Sequence, residues 1–195
     1  MKPDLWLVRH GPTEWSEQGR HTGRTDVPLT AAGEAAARDL APRLAAPDFA
    51  LVLSSPLLRA RDTARLAGFP GAEVDPDLEE WDYGEMEGLT TAEIRKRGGD
   101  WTQWTVWTGA LPGGETAEEV GARARRVLER AHRATGRVLI FGHGHQLRIL
   151  TAVALGLGSG AGARFVLDPA TVSIIGTEHE LRALRVWNAG AGGGA

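Results

Sequence analysis

The sequence predicts an α/β domain, a three-layer α/β/α sandwich built on a mostly parallel sheet with an antiparallel edge strand. Two observations carry that expectation. Short apolar runs of strand length, Asp4–Val8, Phe49–Leu53 and Val138–Phe141, each lead toward a stretch with helical spacing, which is the alternation a parallel sheet requires. Near the C-terminus two more strand-like runs, around Thr171–Gly176 and Leu181–Trp187, have no helical pattern between them and read as an edge hairpin. At 195 residues, with no internal repeat and no linker, residues 1–188 make a single domain. Residues 189–195 contain only Gly and Ala and are expected to form a flexible tail.

The elements follow in order. Leu5–Val8 reads as a buried strand that ends in Arg9-His10-Gly11. Thr30 is placed to cap a helix over Ala31–Leu44, where Ala35, Leu40 and Leu44 recur at helical spacing. After Phe49–Leu53, Ser54-Ser55-Pro56 opens a helix through Leu66, because serine can satisfy a bare first-turn N–H and proline has none to satisfy. From Gly68 to Gly114 the pattern loosens into a short strand before Glu80, a short helix near Thr91–Arg97 and a tryptophan-rich stretch. Thr116 begins a helix through His132 whose Val120, Ala124, Val127, Leu128 and Ala131 share one face. Val138–Phe141 then leads through Gly142-His143-Gly144-His145 into a helix from Gln146 to about Leu155.

Composition removes several function classes. With 42% hydrophobic and 24% charged residues the chain is neither a disordered tail nor a coiled coil. Without cysteine there is no disulfide scaffold, zinc ribbon or thiol nucleophile. Leu5–Val8 stops at Arg9, too short for a signal peptide, and Ile149–Ala163 is too short and too glycine-rich to span a bilayer. The expectation is a cytoplasmic protein with no membrane partner. A net charge of −3 argues against a general grip on nucleic acid. All 22 basic residues are arginine except Lys2 and Lys96, a bias that points to a GC-rich genome, so an arginine counts only where its setting is special.

Three strands end in notable groups: Arg9-His10-Gly11, Ser54-Ser55 followed by Arg59, and Gly142-His143-Gly144. Ligands of parallel α/β sheets bind outside the carboxyl ends of the strands, so neighbouring strands would bring two histidines and two arginines together. That set suits phosphoryl transfer. Arginine clamps a phosphate through planar donors, a neutral imidazole can attack phosphorus, and a second, protonated histidine would stabilise the equatorial oxygens. A carboxylic acid must then protonate the leaving alkoxide and later activate water. Singly, each residue has a plainer reading: a structural histidine, a solvated arginine, or a solvated acidic loop over Glu79, Glu80, Asp82, Glu85 and Glu87. His143 and His145 also stand open as half of a metal site.

The motifs taken together resemble those of the histidine phosphatase superfamily, in its phosphoglycerate mutase-like branch. They are Leu7-Val8-Arg9-His10-Gly11-Pro12-Thr13-Glu14-Trp15, Thr22-Gly23-Arg24 through Thr30, and Ser54-Ser55-Pro56-Leu57-Leu58-Arg59-Ala60. Glu80-Trp81-Asp82-Tyr83-Gly84, Gly113-Gly114-Glu115-Thr116 and Gly142-His143-Gly144 follow in family order. The resemblance implies that His10 is the nucleophile, His143 the second catalytic histidine, Arg9 and Arg59 the phosphoryl clamp, and Glu80 the general acid and base. It places Ser16, where many relatives have asparagine, and Thr22, Gly23 and Gly144 at the substrate pocket. Glu79 is the rival for the acid role, and the four-residue offset to Gly84 favours Glu80.

The resemblance further implies a small phosphorylated substrate, no cofactor and no metal, and it allows a homodimer for which the sequence displays no interface. Cofactor-dependent mutases carry a long insertion between the acid and the late helix, whereas Gly88–Gly113 is short, so hydrolysis rather than mutase chemistry is expected. In motif the chain is most similar to broad-specificity acid phosphatases and to sedoheptulose 1,7-bisphosphatases, the latter needing further cations for which Arg20, His21 and Arg24 are candidates. Trp101, Trp104 and Trp107 recur every three residues, as a helical stripe packed on the domain or an aromatic wall over the pocket. A catalytically dead phosphate-binding module and a metal-dependent hydrolase remain as alternatives.

Overall fold

A computed structural model describes residues 2–190. In chain order the elements are β1 (Leu5–Arg9), α1 (Glu14–Glu17), α2 (Ala31–Asp39), α3 (Ala41–Ala45), β2 (Phe49–Ser54), α4 (Leu58–Leu66), β3 (Glu73–Val74), α5 (Thr91–Arg95), α6 (Ala117–His132), β4 (Arg137–Gly142), α7 (Gly144–Ala154), β5 (Val172–Glu178) and β6 (Leu181–Ala189). The strands form one sheet in the order β3-β2-β4-β1-β5-β6. The pairs β3/β2, β2/β4 and β4/β1 are parallel, while β5 runs antiparallel to β1 and β6 to β5, as an edge hairpin.

The alternation of side chains along each strand divides the core into two layers. Leu5, Leu7, Val138, Ile140 and Ile175 face one side, where they meet the apolar stripe of α6 and the buried residues of α7. Val8, Leu139, Phe141 and Val172 face the other, against Leu40, Leu44 and Ala64 from the helices between β1 and β3. Strands buried on both faces read as continuous apolar runs, and this is why β1 and β4 stood out in the sequence. Among the described residues no helix is long and apolar enough to cross a membrane.

Several expected boundaries move. The helix expected over Ala31–Leu44 breaks at Leu40, and a second helix starts with Pro42 in its first turn. Proline cannot donate to the carbonyl four residues back and its ring crowds that carbonyl, so one helix cannot run through it. The helix expected from Ser54-Ser55-Pro56 begins only at Leu58, whose N–H donates to Asp26 Oδ1 at 2.7 Å in place of a serine cap. Helix α7 starts two residues earlier than expected, with His143 as its N-cap. The three tryptophans form no helical stripe, because only Gly99–Trp101 is a 3₁₀ turn and turns follow. The expected tail overlaps β6, since Ala189 pairs with Val172. Residues 191–195 lie outside the described residues.

Candidate active site

The ladders of β1 and β2 each continue one residue past the strand end. His10 N–H donates to the Gly142 carbonyl at 3.0 Å and Ser55 N–H to the Phe141 carbonyl at 3.0 Å. Both residues are therefore pinned to β4, the strand that delivers His143, and the topology brings the three chain segments together. The His10 and His143 rings stand 5.2 Å apart between centroids. Gly11 follows because the backbone is crowded there: an added Cβ would lie 2.5 Å from the Gly33 carbonyl oxygen.

His10 Nδ1 lies 2.8 Å from the Gly11 carbonyl oxygen, which can only accept. The ring proton of the neutral form therefore sits on Nδ1, and Nε2 keeps its lone pair. Burial, and then the Arg59 and Arg9 guanidiniums, hold His10 well below the ordinary histidine pKa, so the ring is neutral. His143 is pushed the same way by burial, Arg59, His10 and Arg9. The second histidine, expected from the sequence to be protonated, is thus held toward its neutral form, by burial first and then by the neighbouring guanidiniums.

Arg59 is completely buried and is held by its environment from two sides. Its Nη1 donates to the Thr25 carbonyl at 2.9 Å and its Nη2 to the carbonyls of Thr22 at 3.1 Å and Gly23 at 2.8 Å. Arg9 donates through Nη1 to the Leu167 carbonyl. What remains is informative: Arg9 Nε, Arg59 Nε and His143 Nδ1 are buried with no hydrogen-bond partner among the described residues. Buried polar atoms are nearly always paired, so two bare guanidinium N–H groups beside an unpaired imidazole nitrogen in one cationic cluster suit an anion.

Glu80, buried to 5% exposure, faces this cluster from the loop after β3. Its Oε1 accepts from the Trp81 N–H at 2.9 Å and the Gln146 N–H at 2.8 Å, and its Oε2 from the His145 N–H at 3.0 Å. The carboxylate therefore sits on the first turn of α7, where N–H groups lack helical partners and the helix dipole favours negative charge. Glu79 turns outward, its carboxylate 3.9 Å from the exposed Arg24. An added Cβ on Gly144 would lie 3.4 Å from Arg9 Nε and 3.6 Å from Glu80 Oε2, so this glycine fits between the two side chains.

The cavity in front of His10, about 180 Å³, is lined by Arg9, His10, Ser16, Thr22, Glu80 and Gly144 among the residues expected from the sequence. Arg59, His143 and Gly23 are not among the residues that line it. The Gly23 N–H instead donates to both Glu87 carboxylate oxygens at 2.9 Å, which fastens the loop that holds Arg59. Ser16 is engaged in a reciprocal cap with Thr13, accepting from the Thr13 N–H at 2.9 Å.

Sequence reasoning passed over Tyr83, Arg148 and Leu167 and weighed His145 only as a metal ligand, yet all four line the cavity. His145 and Arg148 are three apart on α7, so they share a face, and that spacing after a strand-end histidine was the available signal. The Tyr83 hydroxyl lies 2.7 Å from His145 Nδ1, and Trp107 packs edge-on against His145 at 5.3 Å while Arg148 lies 4.8 Å over its ring. The tryptophan stretch thus supports the cavity rim from behind. Arg20 and His21 line the cavity, whereas Arg24 pairs with Asp82 at 3.2 Å outside it. His143 and His145 diverge, one toward Ser55 and the other toward Tyr83. Burial holds His21 down to a pKa of about 4.

Comparison with known proteins agrees with this geometry. The family described as histidine phosphatase superfamily (branch 1) matches residues 5–190. An acid phosphatase of Mycobacterium tuberculosis is 42% identical over 187 residues, which covers 93% of this chain and 90% of that protein. A sedoheptulose 1,7-bisphosphatase of Saccharomyces cerevisiae is 37% identical over 183 residues, covering 78% and 68% respectively. Among solved structures, that of an open reading frame product of Mycobacterium tuberculosis superposes with a TM-score of 0.90 at 37% identity, over 98% of this chain and all of the other. A strand-end histidine backed by the buried Arg59 and the half-buried Arg9, on a sheet of this order and with this match from β1 to the end of β6, is sufficient evidence: the chain belongs to branch 1 of the histidine phosphatase superfamily.

Proposed function

We propose that the chain is a metal-independent phosphomonoesterase that works through a phosphohistidine on small phosphorylated metabolites. The observation that carries this reading is the pair of bare buried guanidinium donors, Arg9 Nε and Arg59 Nε, with the unpaired Nδ1 of His143 beside them, around a neutral histidine with a free Nε2. The phosphoryl oxygens take those donors. His10 Nε2 attacks phosphorus while the bond from phosphorus to the leaving oxygen breaks, and Glu80 gives that oxygen its proton. Water then attacks the phosphohistidine, Glu80 takes up the water proton, and the electron pair of the P–N bond returns to His10.

The short Gly88–Gly113 segment favours water over a second substrate hydroxyl as acceptor. A screen with excess chelator tests the reading, using p-nitrophenyl phosphate, sugar bisphosphates and 3-phosphoglycerate. Turnover should persist, and His10→Ala should abolish both turnover and acid-labile phosphoenzyme. Activity lost to the chelator, phosphoenzyme retained in His10→Ala, or efficient conversion to 2-phosphoglycerate would each refute it.

One observation favours a narrower reading, a preference for sugar bisphosphates. Arg20 and Arg148 line the same cavity as the clamp, with Glu80 the one carboxylate in that lining. A second phosphate on the leaving group would meet these guanidiniums, so Arg148→Gln should lower kcat/KM for a bisphosphate more than for a monophosphate. Equal losses on the two substrates would remove the preference.

A further inference from the structure

We propose that Ser55 is a positioning residue, holding His143 in the tautomer that carries its proton on Nδ1 and so presenting the second histidine to the phosphoryl group as a neutral N–H donor. The inference rests on the phosphatase reading only in what the donor is for. Ser55 and His143 are both completely buried, and Ser55 Oγ lies 2.7 Å from His143 Nε2. Their backbones are held by neighbouring parallel strands, since Ser55 N–H donates to Phe141 at the end of the strand that leads into His143.

Hydrogen-bond accounting selects the tautomer. Ser55 Oγ already accepts from the Leu57 N–H at 3.3 Å, so its own proton is the group that needs a partner. With the histidine proton on Nδ1, Ser55 donates to the Nε2 lone pair, and the bare group left over is the Nδ1 N–H. With the proton on Nε2, Ser55 accepts twice, its O–H finds no acceptor, and the Nδ1 lone pair is bare as well. The first arrangement leaves one unsatisfied group and the second leaves two, and each buried unsatisfied group is costly. The single leftover of the first is a buried donor, the kind of group an oxyanion satisfies.

Two other observations agree. The doubly protonated ring is disfavoured by burial and by Arg59, His10 and Arg9, the charged and titratable groups that act on it most. Ser55 is not the N-cap its sequence setting suggests, because α4 starts at Leu58 with Leu57 as its N-cap, and the Leu57 N–H it accepts leaves its own proton free for His143. Fixing Nε2 in addition aims Nδ1, since the two nitrogens belong to one rigid ring.

The test reads the tautomer directly, from ¹⁵N–¹H correlation spectra of the histidine rings in ¹⁵N-labelled full-length protein. In wild type, His143 should show a protonated Nδ1 and an unprotonated Nε2 at neutral pH, and inorganic phosphate should shift the Nδ1 proton downfield. Ser55→Ala should scramble the tautomer and lower kcat about tenfold to a hundredfold, less than the roughly 10²–10³-fold that outright loss of an oxyanion donor costs. KM should change little, and Ser55→Thr should restore the wild-type tautomer. A wild-type His143 protonated on Nε2, no response to phosphate, or an unchanged tautomer in Ser55→Ala overturns the proposal. If either variant fails to fold, the wild-type spectrum decides. Because the spectrum needs no turnover, its failure is separable from failure of the phosphatase reading, which turnover and phosphoenzyme trapping report.

Discussion

Replacing Glu80 with glutamine separates the hydrogen bonding of its carboxylate from its proposed proton transfer. Three backbone N–H groups converge on it, from Trp81 and Gln146 on Oε1 and from His145 on Oε2. A glutamine can place its carbonyl where Oε1 sits, but its NH₂ then faces the His145 N–H, leaving a buried donor without an acceptor. That conflict costs about 1–3 kcal/mol of stability, a few degrees in Tm for a domain of this size. The second loss is chemical: a group that must leave as a sugar alkoxide loses its proton donor, which costs about 10²–10⁴-fold in rate. Nitrophenolate departs with little proton assistance, so p-nitrophenyl phosphate should suffer far less. Stability loss and misplacement weigh on both substrates alike, so the ratio of their kcat/KM penalties isolates the proton transfer. Glu79→Gln, on an outward-facing side chain, should leave that ratio unchanged. Equal penalties in Glu80→Gln, with leaving-group dependence appearing in Glu79→Gln, would show that the acid is Glu79.

Two further expectations concern stability. His10, His143 and His145 are held well below the ordinary histidine pKa by burial first, and His21 is held at about 4, so the unfolded chain takes up protons below pH ~6.5 that the folded chain refuses. Stability is then complete above that pH and falls as pH drops toward the folded values, by up to about 1.4 kcal/mol per pH unit for each group; a urea midpoint at pH 5 equal to that at pH 7.5 would contradict this. Gly23→Ala would bring a Cβ within 2.6 Å of Glu87 Oε2 and of the Trp81 carbonyl oxygen. It should destabilise by about 1–3 kcal/mol and raise KM by loosening the loop that grips Arg59, measured by thermal melts and initial rates; unchanged values for both would detach this loop from the clamp.

The parts of the molecule that were legible in the sequence obey local rules. Strands buried on both faces are apolar throughout, α6 carries a full stripe and a Thr116–Glu119 capping box, and the residues at three strand ends pointed to the edge where the cavity lies. What was not legible depends on partners distant in the chain. Ser55 resembles a helix cap until β2 and β4 lie side by side, when its hydroxyl turns out to be taken by a histidine 88 residues away. Arg24 was a candidate for the pocket, yet packing turns it outward to Asp82, while Arg148 reaches the cavity from the helical face it shares with His145. The tryptophan spacing imitated a helix, but Trp104 is buried with its Nε1–H on the Ala110 carbonyl at 2.9 Å, a tight local loop that periodicity does not encode.

The order of the strands has a consequence for how the protein is made. The strand that carries Arg9 and His10 is the first to be synthesised, yet it sits between β4 and β5, pairing Leu5 with both Val138 and Ile175. Its neighbours are therefore translated only when most of the chain exists. At synthesis rates of roughly 5–20 residues per second, His10 waits about 6 to 30 s for the strands that bury it. Contacts of such long sequence separation are slow to close, since the entropy of the loop is lost before any pairing rewards it. Meanwhile β2, α4 and the rest of the middle of the chain emerge without their central partners, so an apolar β1 is exposed during the interval most prone to aggregation. Nascent chains halted before Val172 should accordingly show no phosphate-dependent protection of β1 in hydrogen exchange, and competence should appear in one step once β5 is available.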